Sequence, residues 1–298
     1  MNSKIFGFLL VFALISIIPV ANAQISIGEK AAQESVEVVI NSEGNVHVKH
    51  VVFSSGLPKD LELIYGTASN ISVTNEQNEK LLFTTNQDNR VVLIQPSNEK
   101  SIVEYDLEYA LVQTNNVWTW NFKYLETTSF FFTEEFNTIF VNGRPVNLDE
   151  KKGIACHGCQ LILEYSINEP RIFENVTWEG KKFVVEIQSH SNISNFVFDQ
   201  PTKSITFDIS KENQFITTII PLELLWKPYA VILNDEKILF HEYINNGTHV
   251  WLSMKPQTIG EISIIGTTVI PEFPIIAPLA IGFLMILIIP FTRKFNLH

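Results

Sequence analysis

The chain has 298 residues, 46% of them hydrophobic, and a formal net charge of −11. That length accommodates one large β domain or two sandwiches of about 100 residues each between two apolar ends. The acidic balance argues against nucleic acid, whose phosphates need a basic surface, and suits a solvated exterior.

The first element in chain order is an address. Lys4 supplies a charged start, Ile5 to Val20 an apolar run, and Ala21, Asn22 and Ala23 a small-residue cleavage site. Residues 1–23 therefore read as a secretory signal peptide, with cleavage between Ala23 and Gln24.

β-Signals dominate the chain beyond Gln24. Ser35 to Ile40 and Asn45 to Phe53 flank a Gly-containing loop, Asn41 to Gly44, as in a hairpin. His47 and His50 are an odd number apart in a strand and fall on opposite faces, which opposes a shared metal site. Ile102 to Tyr109 alternates, with Glu104, Asp106 and Glu108 on a solvated face and Val103, Tyr105, Leu107 and Tyr109 on a buried one. Trp118, Trp120, Phe122 and Tyr124 share one face of the next strand. They read as core, with a carbohydrate-stacking platform as the alternative. Asn142-Gly143 and Asn246-Gly247 suit type I′ turns, and Trp178 to Lys181 and Asn234 to Lys237 are further turn signals. Pro221 to Trp226 is read as a short helix or turn.

Short strands with regular turn signals predict an all-β chain of two immunoglobulin-like β-sandwich domains, residues 24–168 and 169–266. The first is expected to hold eight to ten strands and the second seven to nine.

Cys156-His157-Gly158-Cys159 contains both cysteines of the chain. Three readings stand. One is a local disulfide in an oxidising compartment. Another is a copper or zinc site of Cys156, Cys159 and His157, completed by His190, His241 or His249. The third is thiol exchange, although a strand rather than a helix follows the pair. Haem attachment requires His directly after the second Cys, where Gln160 stands. Asn70, Asn175, Asn192 and Asn246 head glycosylation sequons.

Residues 267–274 are expected to form a linker, 275–292 a transmembrane or sorting helix, and 293–298 a basic cytoplasmic tail. The run from Ile275 to Phe291 is uncharged and nearly spans a ~30 Å hydrocarbon core at ~1.5 Å per residue. Arg293 and Lys294 then mark the cytoplasmic side. With Pro271, Glu272, Phe273 and Pro274 ahead of it, this end resembles the PEF-type C-terminal sorting signal of archaeal surface proteins. It is most similar to the version found in ammonia-oxidising archaea. Glu261 to Thr268 resembles the strand that leads into that signal. The resemblance implies an archaeosortase-type transpeptidase that cuts near the motif and attaches a lipid. It covers only the last ~40 residues of the chain.

No phosphate loop, dinucleotide fingerprint, H-E-x-x-H or G-x-S-x-G occurs in the sequence. The leading expectation is a membrane-anchored extracellular protein with an envelope structural, adhesion or ligand-binding role and no catalytic activity. Surface-layer proteins or glycans are its expected partners. A surface metal-binding domain and an extracellular enzyme with a dispersed site are the alternatives.

Overall fold

The structure is a computed structural model that describes residues 28–133, 136–148 and 152–267. The signal-cleavage pair Ala23 and Gln24, the motif from Pro271 to Pro274, and the expected terminal helix lie outside the described residues.

The described residues contain strands and turns and no helix. The first fifteen strands are β1 (Glu29–Lys30), β2 (Gln33–Ile40), β3 (Val46–Val52), β4 (Lys59–Glu62), β5 (Thr67–Asn75), β6 (Phe83–Thr85), β7 (Val91–Ile94), β8 (Ser101–Glu108), β9 (Val112–Thr114), β10 (Val117–Tyr124), β11 (Thr128–Phe132), β12 (Thr138–Val141), β13 (Arg144–Asn147), β14 (Gly153–Cys156) and β15 (Cys159–Tyr165). The other ten are β16 (Arg171–Trp178), β17 (Lys181–Gln188), β18 (Ile193–Asp199), β19 (Ser204–Ile209), β20 (Ile216–Pro221), β21 (Trp226–Leu233), β22 (Glu236–Lys237), β23 (Phe240–Asn245), β24 (His249–Met254) and β25 (Gly260–Thr267). Both halves thus hold more strands than the eight to ten and seven to nine expected. Short pieces such as β1, β9 and β22 are too brief for periodicity to reveal them.

Two sheets make the first sandwich, β14-β11-β2-β3-β8-β5 and β13-β12-β15-β10-β9. A third sheet, β1-β4-β7-β6, was not foreseen. It packs into the same core, through Leu61, Val92 and Ile94. The second sandwich pairs β16-β17-β20-β24-β23 with β18-β19-β25-β21-β22. The ladders are antiparallel except β2 with β11 and β1 with β4. The hydrophobic core divides in two. One cluster draws on residues up to Ile167 and the other on residues from Ile172 onward.

Local chemistry explains the strands and turns. Val36, Val38 and Ile40 of β2 and Val46, Val48 and Val52 of β3 are buried at alternate positions, where β-branched side chains fill the space between sheets. Asn142-Gly143, Glu179-Gly180 and Asn234-Asp235 all have both central φ angles positive, as type I′ turns require. Asn246-Gly247 differs. Only Gly247 has positive φ there, and Asn246 Oδ1 instead accepts from the backbone of Thr248 and His249. The segment after Pro221 is a turn, closed by Leu224 and Leu225 N–H on the Pro221 carbonyl.

The two sandwiches touch through the outer face of the five-stranded sheet that contains β15. Phe140 of β12 and Phe215 stack with ring centroids 3.4 Å apart, and Val117 completes a small apolar cluster. Lys255 Nζ donates to Glu164 Oε1 of β15 at 2.6 Å. Gln214 Nε2 donates to the Asn115 carbonyl at 2.7 Å. The ring Nε2 of His190 lies 3.0 Å from the Ile167 carbonyl in the connection between the sandwiches.

Candidate functional site

The sequence singles out the cysteine corner. β14 belongs to the six-stranded sheet and β15 to the facing five-stranded sheet, so residues 156–159 turn the chain from one layer to the other. Cys156 and Cys159 are joined by a disulfide with their Cα atoms 5.7 Å apart. Gly158, at φ +54°, allows this corner, and a Cβ there would come within 3.1 Å of the Leu125 carbonyl. In this disulfide form the two sulfurs are bonded to each other and neither is a free thiol. His157 Nδ1 lies 2.9 Å from Thr127 Oγ1. Among the described residues, no group of three or more His, Cys, Asp and Glu side chains is placed to hold a metal ion. His190 lies between β17 and β18, His241 in β23 and His249 in β24, all within the second sandwich.

The aromatic stripe of β10 is core. Trp120 and Phe122 meet Phe130 edge-on, and Tyr124 is buried beside them. Trp118 is half-buried, stacked near Tyr165, with its indole N–H buried and without a hydrogen-bond partner.

Opposite that stripe, the outer face of the six-stranded sheet presents a transverse row. The registers align Phe131 of β11, Val39 of β2, His47 of β3, Asp106 of β8 and Ser69 of β5. A bulge between Ser69 and Ser72 gives Asn70 a left-handed backbone at φ +53°. This turns its amide onto the row. Asn70 Nδ2 donates to Asp106 Oδ2 at 2.8 Å, and His47 Nδ1 lies 2.9 Å from Asp106 Oδ1. These hydrogen bonds, Asn70 first and then His47, hold the Asp106 carboxyl below the usual carboxylate range.

Beside the row lies an open groove of about 680 Å³, bordered by His47, Asn70, Asp106, Tyr109 and Trp118. Strand alternation predicts Tyr109 on the buried face. Instead it is 87% exposed and has φ +58°, a conformation that costs a bulky L-residue of the order of 1–2 kcal/mol. No core packing repays that strain. Tyr109 also lines a second groove with Tyr65, and Arg90 lies over the Tyr65 ring at 5.0 Å.

His47, Asp106 and Ser69 are the residue types of a hydrolytic triad, but the strand order forbids one. β8 lies between β3 and β5, so Asp106 separates His47 from Ser69 by two strand spacings, roughly 10 Å. A triad needs the imidazole in the middle, within hydrogen-bond reach of the hydroxyl.

His50, three positions from His47 and so on the opposite face of β3, is wholly buried. Its Nδ1 lies 2.6 Å from Gln33 Oε1 and its Nε2 3.0 Å from Tyr105 Oη. Gln33 Nε2 donates to Tyr124 Oη, which donates to the Glu62 carbonyl, while Ile64 N–H donates to Tyr105 Oη. With Tyr105 donating, His50 Nε2 accepts and Nδ1 carries the proton. Burial pushes the His50 pKa down to about 3, so the ring is neutral. The sequence carries no signal for this network, because its members are scattered from Gln33 to Tyr124.

A second cleft, of about 660 Å³, opens between the sandwiches and is bordered by Phe140, Phe215, Leu239, His241 and Lys255. Burial, and then the neighbouring Arg144, lower the pKa of His241.

No family model and no curated protein matches the chain. A solved structure of an aminopeptidase N family protein from Idiomarina loihiensis is similar over 50% of this chain, at 8% identity and a TM-score of 0.34. The chain spans about a third of that protein, 32%, and a likeness this low carries no argument about fold or activity.

Proposed function

We propose that the chain is a non-catalytic extracellular protein, tethered by its C-terminal segment. Its first sandwich would offer the groove beside Tyr109 to a polar envelope partner, a glycan or a surface-layer protein. The observation that supports binding over catalysis is the row His47–Asp106–Ser69. It gathers polar groups at an open groove in an order that cannot relay a proton from Ser69 to His47. The strained, exposed Tyr109 at the rim supplies an aromatic face and a hydroxyl, the pairing favoured at recognition surfaces. The extracellular address rests on the two ends of the sequence and is consistent with the Cys156–Cys159 disulfide.

Protease treatment of intact cells tests the address. It should release a fragment of the two sandwiches, whereas a fragment found only after lysis would overturn the reading. Binding of isolated envelope material to the purified protein tests the groove. Tyr109→Ala and Asp106→Asn should each weaken it at least tenfold, and unchanged binding would remove the groove from the proposal.

A further inference from the structure

The four sequons fit one sequence pattern, Asn70 and Asn192 with Ser at the third position and Asn175 and Asn246 with Thr, and they differ in chemistry. N-Glycosylation joins a sugar to the carboxamide Nδ2, so what matters is which atoms of the Asn side chain are already engaged. At Asn70 it is Nδ2 that is engaged, one of its two N–H groups donating to Asp106 Oδ2 at 2.8 Å inside the groove row. Asn175 sits mid-strand in β16, whose pairing with β17 from Arg171 to Trp178 holds the backbone extended. Asn192 precedes β18 and is tied by its backbone N–H to Ser210 Oγ at 3.2 Å.

Asn246 is arranged the other way round. It is exposed in the loop between β23 and β24, and its Oδ1 accepts three hydrogen bonds. These come from Thr248 N–H at 3.0 Å, Thr248 Oγ1 at 2.9 Å and His249 N–H at 2.8 Å. Thr248 has one hydroxyl proton and gives it to Asn246. His249 Nδ1, 3.0 Å from the same hydroxyl oxygen, is therefore the donor to Thr248. Donors on Oδ1 stabilise negative charge there, which makes the Nδ2 protons more acidic. Space is available as well: Gly247, at φ +85°, has no atom within 4 Å of where a Cβ would be.

We propose that Asn246 is the N-glycan acceptor of this chain, with Thr248 as the residue that positions and polarises its carboxamide. This rests on the extracellular reading of the chain. The donor is a lipid-pyrophosphate-linked oligosaccharide. The Nδ2–C1 bond forms as the bond from C1 to the pyrophosphate oxygen breaks. The Nδ2 proton passes to a base of the transferase, and the lipid pyrophosphate leaves.

The test is peptide mapping by mass spectrometry of the full chain isolated from its own cell envelope. The Asn246 peptide should carry an oligosaccharide mass and the Asn70 peptide should not. Asn246→Gln should abolish that mass, Thr248→Ala should reduce occupancy at least tenfold, and Thr248→Ser should keep it. Because the loop is exposed, none of these changes removes core packing. An unmodified Asn246 peptide, or modification at Asn70 instead, overturns the proposal. Protease shaving of the same cells then shows separately whether the extracellular reading falls with it.

Discussion

Glu164 and Lys255 meet at 2.6 Å across the junction of the two sandwiches, with the Glu164 residue only 8% exposed. Lys255 Nζ also lies 5.0 Å from the centre of the Phe215 ring, which itself stacks on Phe140. One ammonium therefore ties a carboxylate of the first sandwich to an aromatic ring of the second.

Removing that ammonium leaves a carboxylate desolvated without its partner. Lys255→Ala should cost about 1–3 kcal/mol, and Glu164→Gln less, because the amide stays polar but uncharged. Urea unfolding of each variant and of the double variant measures this. If the sandwiches were independent, the two changes would be additive.

His50 sets an acid limit. Its folded pKa lies near 3, below the ordinary value of 6.5, so the folded state declines a proton that the unfolded chain accepts. The stability is fully present above pH 6.5 and is lost as pH falls toward 3, by on the order of 3–5 kcal/mol. Urea midpoints between pH 7 and 4 should fall more steeply in the wild-type chain than in His50→Gln, which does not titrate. Equal slopes would refute a neutral buried ring.

Glu169, in the connection between the sandwiches, should act at the other end of the scale. Burial raises its pKa to about 7 against the opposing hydrogen bond with Ser166. A raised acid favours the protonated folded state. Its contribution is intact below the ordinary value of 4.5 and is lost as pH rises through about 7. Glu169→Gln should therefore be more stable than wild type at pH 8, by about 1–3 kcal/mol, and indistinguishable from it at pH 4. Thermal melts at the two pH values decide this.

The disulfide closes a loop of four residues, so chain entropy limits its worth to about 2 kcal/mol. Reduction, or Cys156→Ser with Cys159→Ser, should lower the melting temperature by only a few degrees in a chain of this size. Faster amide exchange should be confined to the corner around Thr127 and His157, which the bridge holds between the sheets. Global unfolding on reduction would contradict this.

The β class and most of the strands are legible in the order of residues alone. Alternation of apolar and polar residues is a local property, and Val103, Tyr105 and Leu107 fall into the core as their spacing requires. The turns at Asn142-Gly143 and Asn234-Asp235 are legible too, since Asn, Asp and Gly tolerate positive φ, whereas at Glu179-Gly180 only the glycine gives that signal. Tyr109 broke the pattern because strand periodicity does not reveal where a chain leaves its strand. Which residues meet depends instead on how the strands are laid side by side. Asp106 reaches His47 and Asn70 through lateral strand order and one bulge, and His50 reaches Gln33 and Tyr105 through burial. Those contacts join residues 17 to 59 positions apart. Sheet order is set by packing of the whole domain, so no local window of sequence contains it.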